Sequence, residues 1–185
     1  MKRSIRLVLF LVMFAIPAHA VDGPAVGAPP ELAHFKNLIG EWSTTEEGLA
    51  PDGSNWAPSK GADWHFRWAF DGWGIADDYT SPPMSETVED ETKRQRGINL
   101  RIYNPTTEQW VMTWLTPGSA TPQNFTATST DDEIVMLNVA LNPQGYWGRI
   151  TFFDMTGDTF DWKLEWSQDK ESWFEVYRIR GLRKE

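Results

Sequence analysis

Eleven tryptophans in 185 residues, with no cysteine, constrain this chain more than any other feature. Many of them alternate with polar residues along short β-type runs. Trp64-His65-Phe66-Arg67-Trp68-Ala69-Phe70 sets Trp64, Phe66, Trp68 and Phe70 on one strand face. Phe160-Asp161-Trp162-Lys163-Leu164-Glu165-Trp166 repeats the pattern. Period-two alternation means that one face of each strand meets a core and the other meets water. A buried ring of this size covers roughly 150–250 Å². So many rings on strands imply an aromatic-lined interior, either packed solid or hollow enough to hold a ligand.

The first twenty residues read as a secretory signal peptide. Lys2, Arg3 and Arg6 form a positive start, Leu7 to Ile16 is an unbroken apolar run, and Pro17 breaks it. Ala18-His19-Ala20 then supplies an A-x-A cleavage signal. Ten apolar residues are too few to span a bilayer. No cysteine follows to carry a lipid anchor, and no later stretch is long enough for a membrane span. The expected location is periplasmic or secreted. Export permits disulfides, yet none can form, so the core must stabilise the fold unaided. Cleavage after Ala20 leaves 14 basic against 26 acidic residues, −12 net. Such a surface repels nucleic acid and anionic headgroups, which excludes nucleic acid as a partner. The oligomeric state is open.

Residues 21–30 are small, Pro/Gly-rich and aperiodic, the composition of a flexible linker. From Pro30, Leu32, Phe35, Leu38 and Ile39 recur at helical spacing and Gly40 supplies a stop, predicting a short helix of about two and a half turns. Beyond Gly40 the chain is strand and turn. Alternating runs are predicted at 42–47, 63–70, 75–80, 97–103, 109–115, 125–129, 133–139, 146–154, 159–166 and 173–180. In the run at 97–103, Ile98, Leu100 and Ile102 share one face and Asn99, Arg101 and Tyr103 the other. The segments 49–60, 81–96 and 116–123 read as turn-rich or mobile loops. About ten strands with short connections predict an antiparallel meander. Closure into an up-and-down barrel removes exposed edges, and a two-sheet sandwich is the alternative. Residues 31–185 form one domain.

Gly40-Glu41-Trp42, at the junction of helix and first strand, resembles the opening of the calycin superfamily, to which lipocalins belong. Leu38-Ile39-Gly40-Glu41-Trp42, together with Tyr103-Asn104-Pro105 and Gln109-Trp110, resembles more closely a bacterial family of exported calycin-like domains of unknown function, over roughly residues 31–183. The resemblance implies an all-β, antiparallel calycin-like barrel of about ten strands with a short N-terminal helix. It also implies that Gly40 and Trp42 close the barrel floor, with an arginine of the last strand, Arg178 or Arg180, packed on the indole. Two lipocalin features are missing: the T-D-Y motif and the disulfides.

Chemistry is sparse. His19 leaves with the signal peptide, His34 falls on the polar side of the helix, and His65 alternates outward between Trp64 and Phe66. Two isolated histidines cannot assemble a His/Cys metal site, and the acidic clusters lack EF-hand spacing. No nucleophile motif, phosphate loop or dinucleotide fingerprint occurs, so no catalytic residue, metal or cofactor is assigned. The reading favours an exported barrel that binds a small apolar or aromatic molecule. Its expected ligand-binding rings are Trp64, Phe66, Trp68, Trp110, Trp114, Trp162 and Trp166. Two alternatives stay open: a barrel enzyme of isomerase or hydrolase type using Asp77, Tyr79 or another buried polar group, and a solid barrel acting through its surface.

Overall fold

The computed structural model describes residues 22–185. The signal-peptide reading lies outside the described residues. Within them, eleven strands form one antiparallel sheet: β1 Gly40–Leu49, β2 Trp56–Pro58, β3 Asp63–Ala69, β4 Gly74–Ser81, β5 Gln95–Asn104, β6 Gln109–Leu115, β7 Gln123–Ser129, β8 Ile134–Asn138, β9 Trp147–Phe153, β10 Thr159–Ser167 and β11 Phe174–Arg183. Each strand from β3 to β11 pairs with the next, and β11 returns to β1 from Trp42↔Arg183 to Gly48↔Tyr177, closing a ten-stranded up-and-down barrel. The short β2, inside a segment expected to be only turns, extends the neighbouring lane by pairing with Glu47–Leu49. Closure leaves no long unpaired edge to template pairing with another chain.

The segment expected as an α-helix is a 3₁₀ helix, Pro30–Phe35, ending in turns. It stops early because the barrel takes its last carbonyls. The Trp42 indole donates to the Leu38 carbonyl at 2.7 Å. The Arg183 guanidinium donates to the carbonyls of Ile39 and Asn37 at 2.8 and 2.7 Å. Leu32, Phe35 and Leu38 are fully buried and plug this end. In front of the plug, Ala25 donates to the Gly72 carbonyl at 3.0 Å, so part of the expected linker lies against the β3–β4 turn.

The floor corrects one assignment. Arg183, not Arg178 or Arg180, lies over Trp42, its guanidinium carbon 4.2 Å from the ring centroid. Strand parity is the reason. Thr44↔Gly181 and Trp42↔Arg183 put the odd residues of β11 on the inner face, which turns Arg178 and Arg180 to solvent. There Arg178 pairs with Glu47 and stacks on Trp56, and Arg180 pairs with Asp161. Gly40 has φ +129°, and a Cβ on it would overlap the Arg183 guanidinium. Glycine is therefore required twice over, by backbone conformation and by space.

Trp42→Ala should lower stability by about 3–5 kcal/mol in urea unfolding, as for other buried aromatics. Arg183→Ala should cost about 2 kcal/mol, the scale of charged hydrogen bonds to carbonyls. Arg180→Ala should change stability by no more than about 0.5 kcal/mol, because its ion pair is exposed. Equal losses for the two arginine variants would contradict this floor.

Candidate functional site

Half of the barrel is packed and half is hollow. On the floor side, Trp42 meets Phe160 edge-on at 4.9 Å and Phe35 meets Trp110 at 4.7 Å. Phe66, Phe152 and Met112 complete this layer, all at most 1% exposed. At the opposite end lies a cavity of about 340 Å³, lined by Trp64, Tyr79, Asn99, Arg101, Trp114, Phe125, Met136, Ile150, Phe152, Trp162, Leu164, Tyr177 and Ile179, with Gln95 and Gln123 also on its wall. The volume suits a small molecule, and so does the chemistry: mainly apolar, with a few placed polar groups.

Antiparallel order brings the connections after β4, β6, β8 and β10 to this same end. The two long connections singled out in the sequence, between β4 and β5 and between β6 and β7, are therefore both mouth loops. The first is not left open. Arg94, 5% exposed, donates to the carbonyls of Pro82, Pro83 and Glu86 and pairs with Glu91, so one guanidinium gathers the loop.

The sequence-predicted rings separate into three groups. Trp64, Trp114 and Trp162 line the cavity. Phe66 and Trp110 are fully buried in the packed half, where the Trp110 indole donates to the Ser129 hydroxyl at 2.8 Å. Trp68 sits against the core on the floor side, since Trp68 pairs with Ile75 near the β3–β4 turn. Trp166 lies at the rim, stacked on Tyr146 at 5.2 Å and an interplanar angle of 15°, rather than in the cavity wall. A register shift between Leu164 and Glu165 marks where β10 leaves the regular barrel beside β11. Phe70 leaves the row as well. It enters a 3₁₀ turn with φ 52° and is 54% exposed.

Trp114 owes its position to Gly97. Gly97 has no side chain, and a Cβ on it would overlap the Trp114 six-membered ring. The missing side chain is the slot in which Trp114 lies, with Tyr79 edge-on at 6.2 Å.

The polar wall was invisible in the apolar pattern. In β5 the face turned inward is Asn99, Arg101 and Tyr103, while Ile102 is 49% exposed. Arg101 and Asp77 form an ion pair with both side chains at most 1% exposed. The Trp64 indole donates to Asp77 Oδ1 at 2.7 Å, and Phe35 and Phe66 flank the guanidinium at 5.7 and 5.6 Å. Asp77 is thus engaged by Arg101 and Trp64, and hydrogen-bonds no tyrosine. Tyr79 instead joins a second acid, Glu46, which is 3% exposed. Thr44, Ser59, Tyr79 and Tyr177 all donate hydroxyls to the Glu46 carboxylate, at 2.7, 3.0, 2.9 and 2.7 Å. Sequence reasoning missed Glu46, although its parity with Trp42 and Thr44 along β1 already put it on the inner face. The histidines remain apart. His65 is exposed, and His34 hydrogen-bonds Ser129 on the floor side at 2.8 Å, bracing the 3₁₀ helix against β7. No group of acidic or histidine side chains able to hold a metal is found among the described residues. No helix among them is long and apolar enough to cross a membrane.

No family model matches the chain, and no curated protein is similar to it. Solved structures share its fold. Rv2717c from M. tuberculosis is 13% identical with a TM-score of 0.54, over 85% of this chain and 99% of that one. The S-type phycobiliprotein lyase CPES from Guillardia theta is 10% identical with a TM-score of 0.55, over 83% of this chain and 92% of that one. The chain is similar to both as a calycin-like barrel, and at these identities the likeness is one of fold alone.

Burial, with the adjoining Glu46 carboxylate, holds the Tyr79 phenol far above the ordinary tyrosine range. Burial pushes Tyr177 up to about 12, against a downward pull from its hydrogen bond with Ser59. The unfolded chain releases these protons above about pH 10 while the fold retains them. Their contribution to stability is therefore full below about pH 10 and is lost as pH rises from there towards about 12. Urea unfolding at about pH 9 and about pH 11 should show a larger loss for the natural protein than for a Tyr79→Phe, Tyr177→Phe double variant. Equal losses would mean that the phenols are not held this way.

Proposed function

We propose that this protein is an exported small-molecule-binding barrel that holds a flat apolar or aromatic ligand in the cavity bounded by Trp64, Trp114 and Trp162. The observation that carries the reading is the hollow half itself. Despite its many buried rings, the barrel keeps about 340 Å³ open at the loop-rich end. Indole faces around an open volume favour flat conjugated molecules through offset stacking. The phycobiliprotein lyase CPES, which shares the fold, fits a small-molecule role for such a barrel. Binding is favoured over catalysis because Asp77, the acid expected to act in an enzyme, is committed to Arg101.

An apolar fluorescent probe such as 1-aminoanthracene should bind with a Kd of roughly 1 μM, about −8 kcal/mol, and quench tryptophan emission. Trp114→Ala or Trp162→Ala should weaken binding while the β-type circular dichroism persists. Trp166→Ala, at the rim, should change it far less. Failure of any apolar probe to bind folded protein would sink this reading and favour a barrel that acts through its surface.

Export rests on the charged start, the apolar run and the A-x-A site before Val21. Protein recovered from outside the cytoplasm should begin at Val21 when sequenced from its N-terminus. An intact Met1 on that protein would overturn the assignment.

A further inference from the structure

The hydroxyls around Glu46 decide what the cavity can offer a ligand. A hydroxyl has one proton and two lone pairs. Tyr79 and Tyr177 each direct theirs to the Glu46 carboxylate, as do Thr44 and Ser59 behind them. The two phenol oxygens, both on residues that line the cavity, have given their protons and keep lone pairs, the Tyr177 oxygen also lying 3.3 Å from the Ser59 hydroxyl. A third acceptor points the same way. Asn99 is 7% exposed and lines the cavity, and its Oδ1 has no hydrogen-bond partner. The other orphan, Arg101 Nε, is a donor, but its side chain is 1% exposed and held by Asp77.

Charge follows the same direction. Asp77 and Arg101 neutralise each other. Glu46 has no Lys or Arg within ion-pair distance among the described residues, and four hydroxyls solvate its charge without cancelling it. Behind the cavity wall, at the two phenols, there is therefore one carboxylate with no cation paired to it among the described residues. Trp64, Trp114 and Trp162 add the negative faces of their π systems, the arrangement by which aromatic cages hold ammonium groups.

We propose that the ligand is a planar apolar amine in its cationic form, its ammonium N–H groups donating to the phenol oxygens of Tyr79 and Tyr177 and its charge balanced by Glu46 behind them. This rests on the cavity being the binding site, and it sets the chemical class of the occupant. Planar carboxylates of the same size meet the two phenol acceptors with the Glu46 charge behind them, and are disfavoured. The net negative charge of the chain favours the approach of cations over that of anions.

Three probes of one shape separate the possibilities: 2-naphthylmethylamine, 2-naphthylmethanol and 2-naphthoate, each titrated by tryptophan quenching at neutral pH. The ammonium should bind about tenfold or more tighter than the alcohol, one decade being a modest gain for a partly desolvated ion pair. The carboxylate should bind more weakly than the alcohol. Glu46→Gln should bring the ammonium to about the level of the alcohol. Tyr177→Phe, which keeps the ring and removes one phenol oxygen, should reduce ammonium binding selectively even if Glu46→Gln fails to fold. Carboxylate binding equal to or tighter than ammonium binding overturns the proposal, as does an ammonium preference unchanged by Tyr177→Phe. Alcohol binding without any ammonium preference overturns the ligand class but leaves the cavity reading standing. No binding by all three removes both.

Discussion

The buried ion pair between Asp77 and Arg101 sits at the waist of the barrel, and both of its halves are organised around it. Removing two charges from water costs several kcal/mol each, and only close pairing with further hydrogen bonds offsets that. Here the compensation is extensive: Trp64 donates to Asp77, and Phe35 and Phe66 flank the guanidinium. Below the pair the interior is rings and aliphatic side chains in contact. Above it the wall becomes mixed and the volume opens. Replacing either charge alone leaves the other uncompensated, a loss of about 3–5 kcal/mol. The pair thus fixes the register of β4 against β5, Ile75↔Arg101 and Asp77↔Asn99, more strictly than apolar packing alone would.

The floor depends on a second cation used differently. Arg183 is the last residue of β11, and it donates to carbonyls of the chain that enters β1. It joins the two termini of the barrel at the seam where β11 meets β1, the step that closes the sheet. Its stacking on Trp42 also buries one face of that indole, while the indole N–H satisfies the Leu38 carbonyl. A 3₁₀ segment suffices as a plug because the carbonyls that follow it, of Asn37, Leu38 and Ile39, are capped from the barrel and need no further helical turn. In a chain without cysteine, this closure is made by non-covalent contacts alone.

The two interior acids are accommodated in different ways. Asp77 is met by a cation and becomes part of the scaffold. Glu46 is met by hydroxyls alone, with no Lys or Arg paired to it among the described residues. Both arrangements satisfy hydrogen bonding, but only the first also cancels the charge. Ordered hydroxyl groups are stiffer than water, and their acceptor lone pairs stay aimed without reorganisation when a ligand arrives.

Alternation alone determined most of the barrel. The rows Trp64-Phe66-Trp68 and Phe160-Trp162-Leu164, the turns at Asn104-Pro105 and Gly157-Asp158, and the meander they imply follow from the period of two, which is a local property of the backbone. What the pattern could not determine is height along the barrel axis. Trp64 and Trp68 share a face, but four residues of rise put one at the cavity and the other at the floor. Trp162 and Trp166 differ in the same way, with a register shift between them. Nor could it say which face of β5 turns inward, because Ile98, Leu100 and Ile102 look like a core stripe until Asp77 on the neighbouring strand supplies a partner for Arg101. Likewise Arg178, Arg180 and Arg183 are alike in sequence, and only pairing with β1 selects Arg183. Glu46 gathers hydroxyls from β1, β4, β11 and the segment after β2. That convergence is a matter of closure in three dimensions, so only the tertiary structure could decide it.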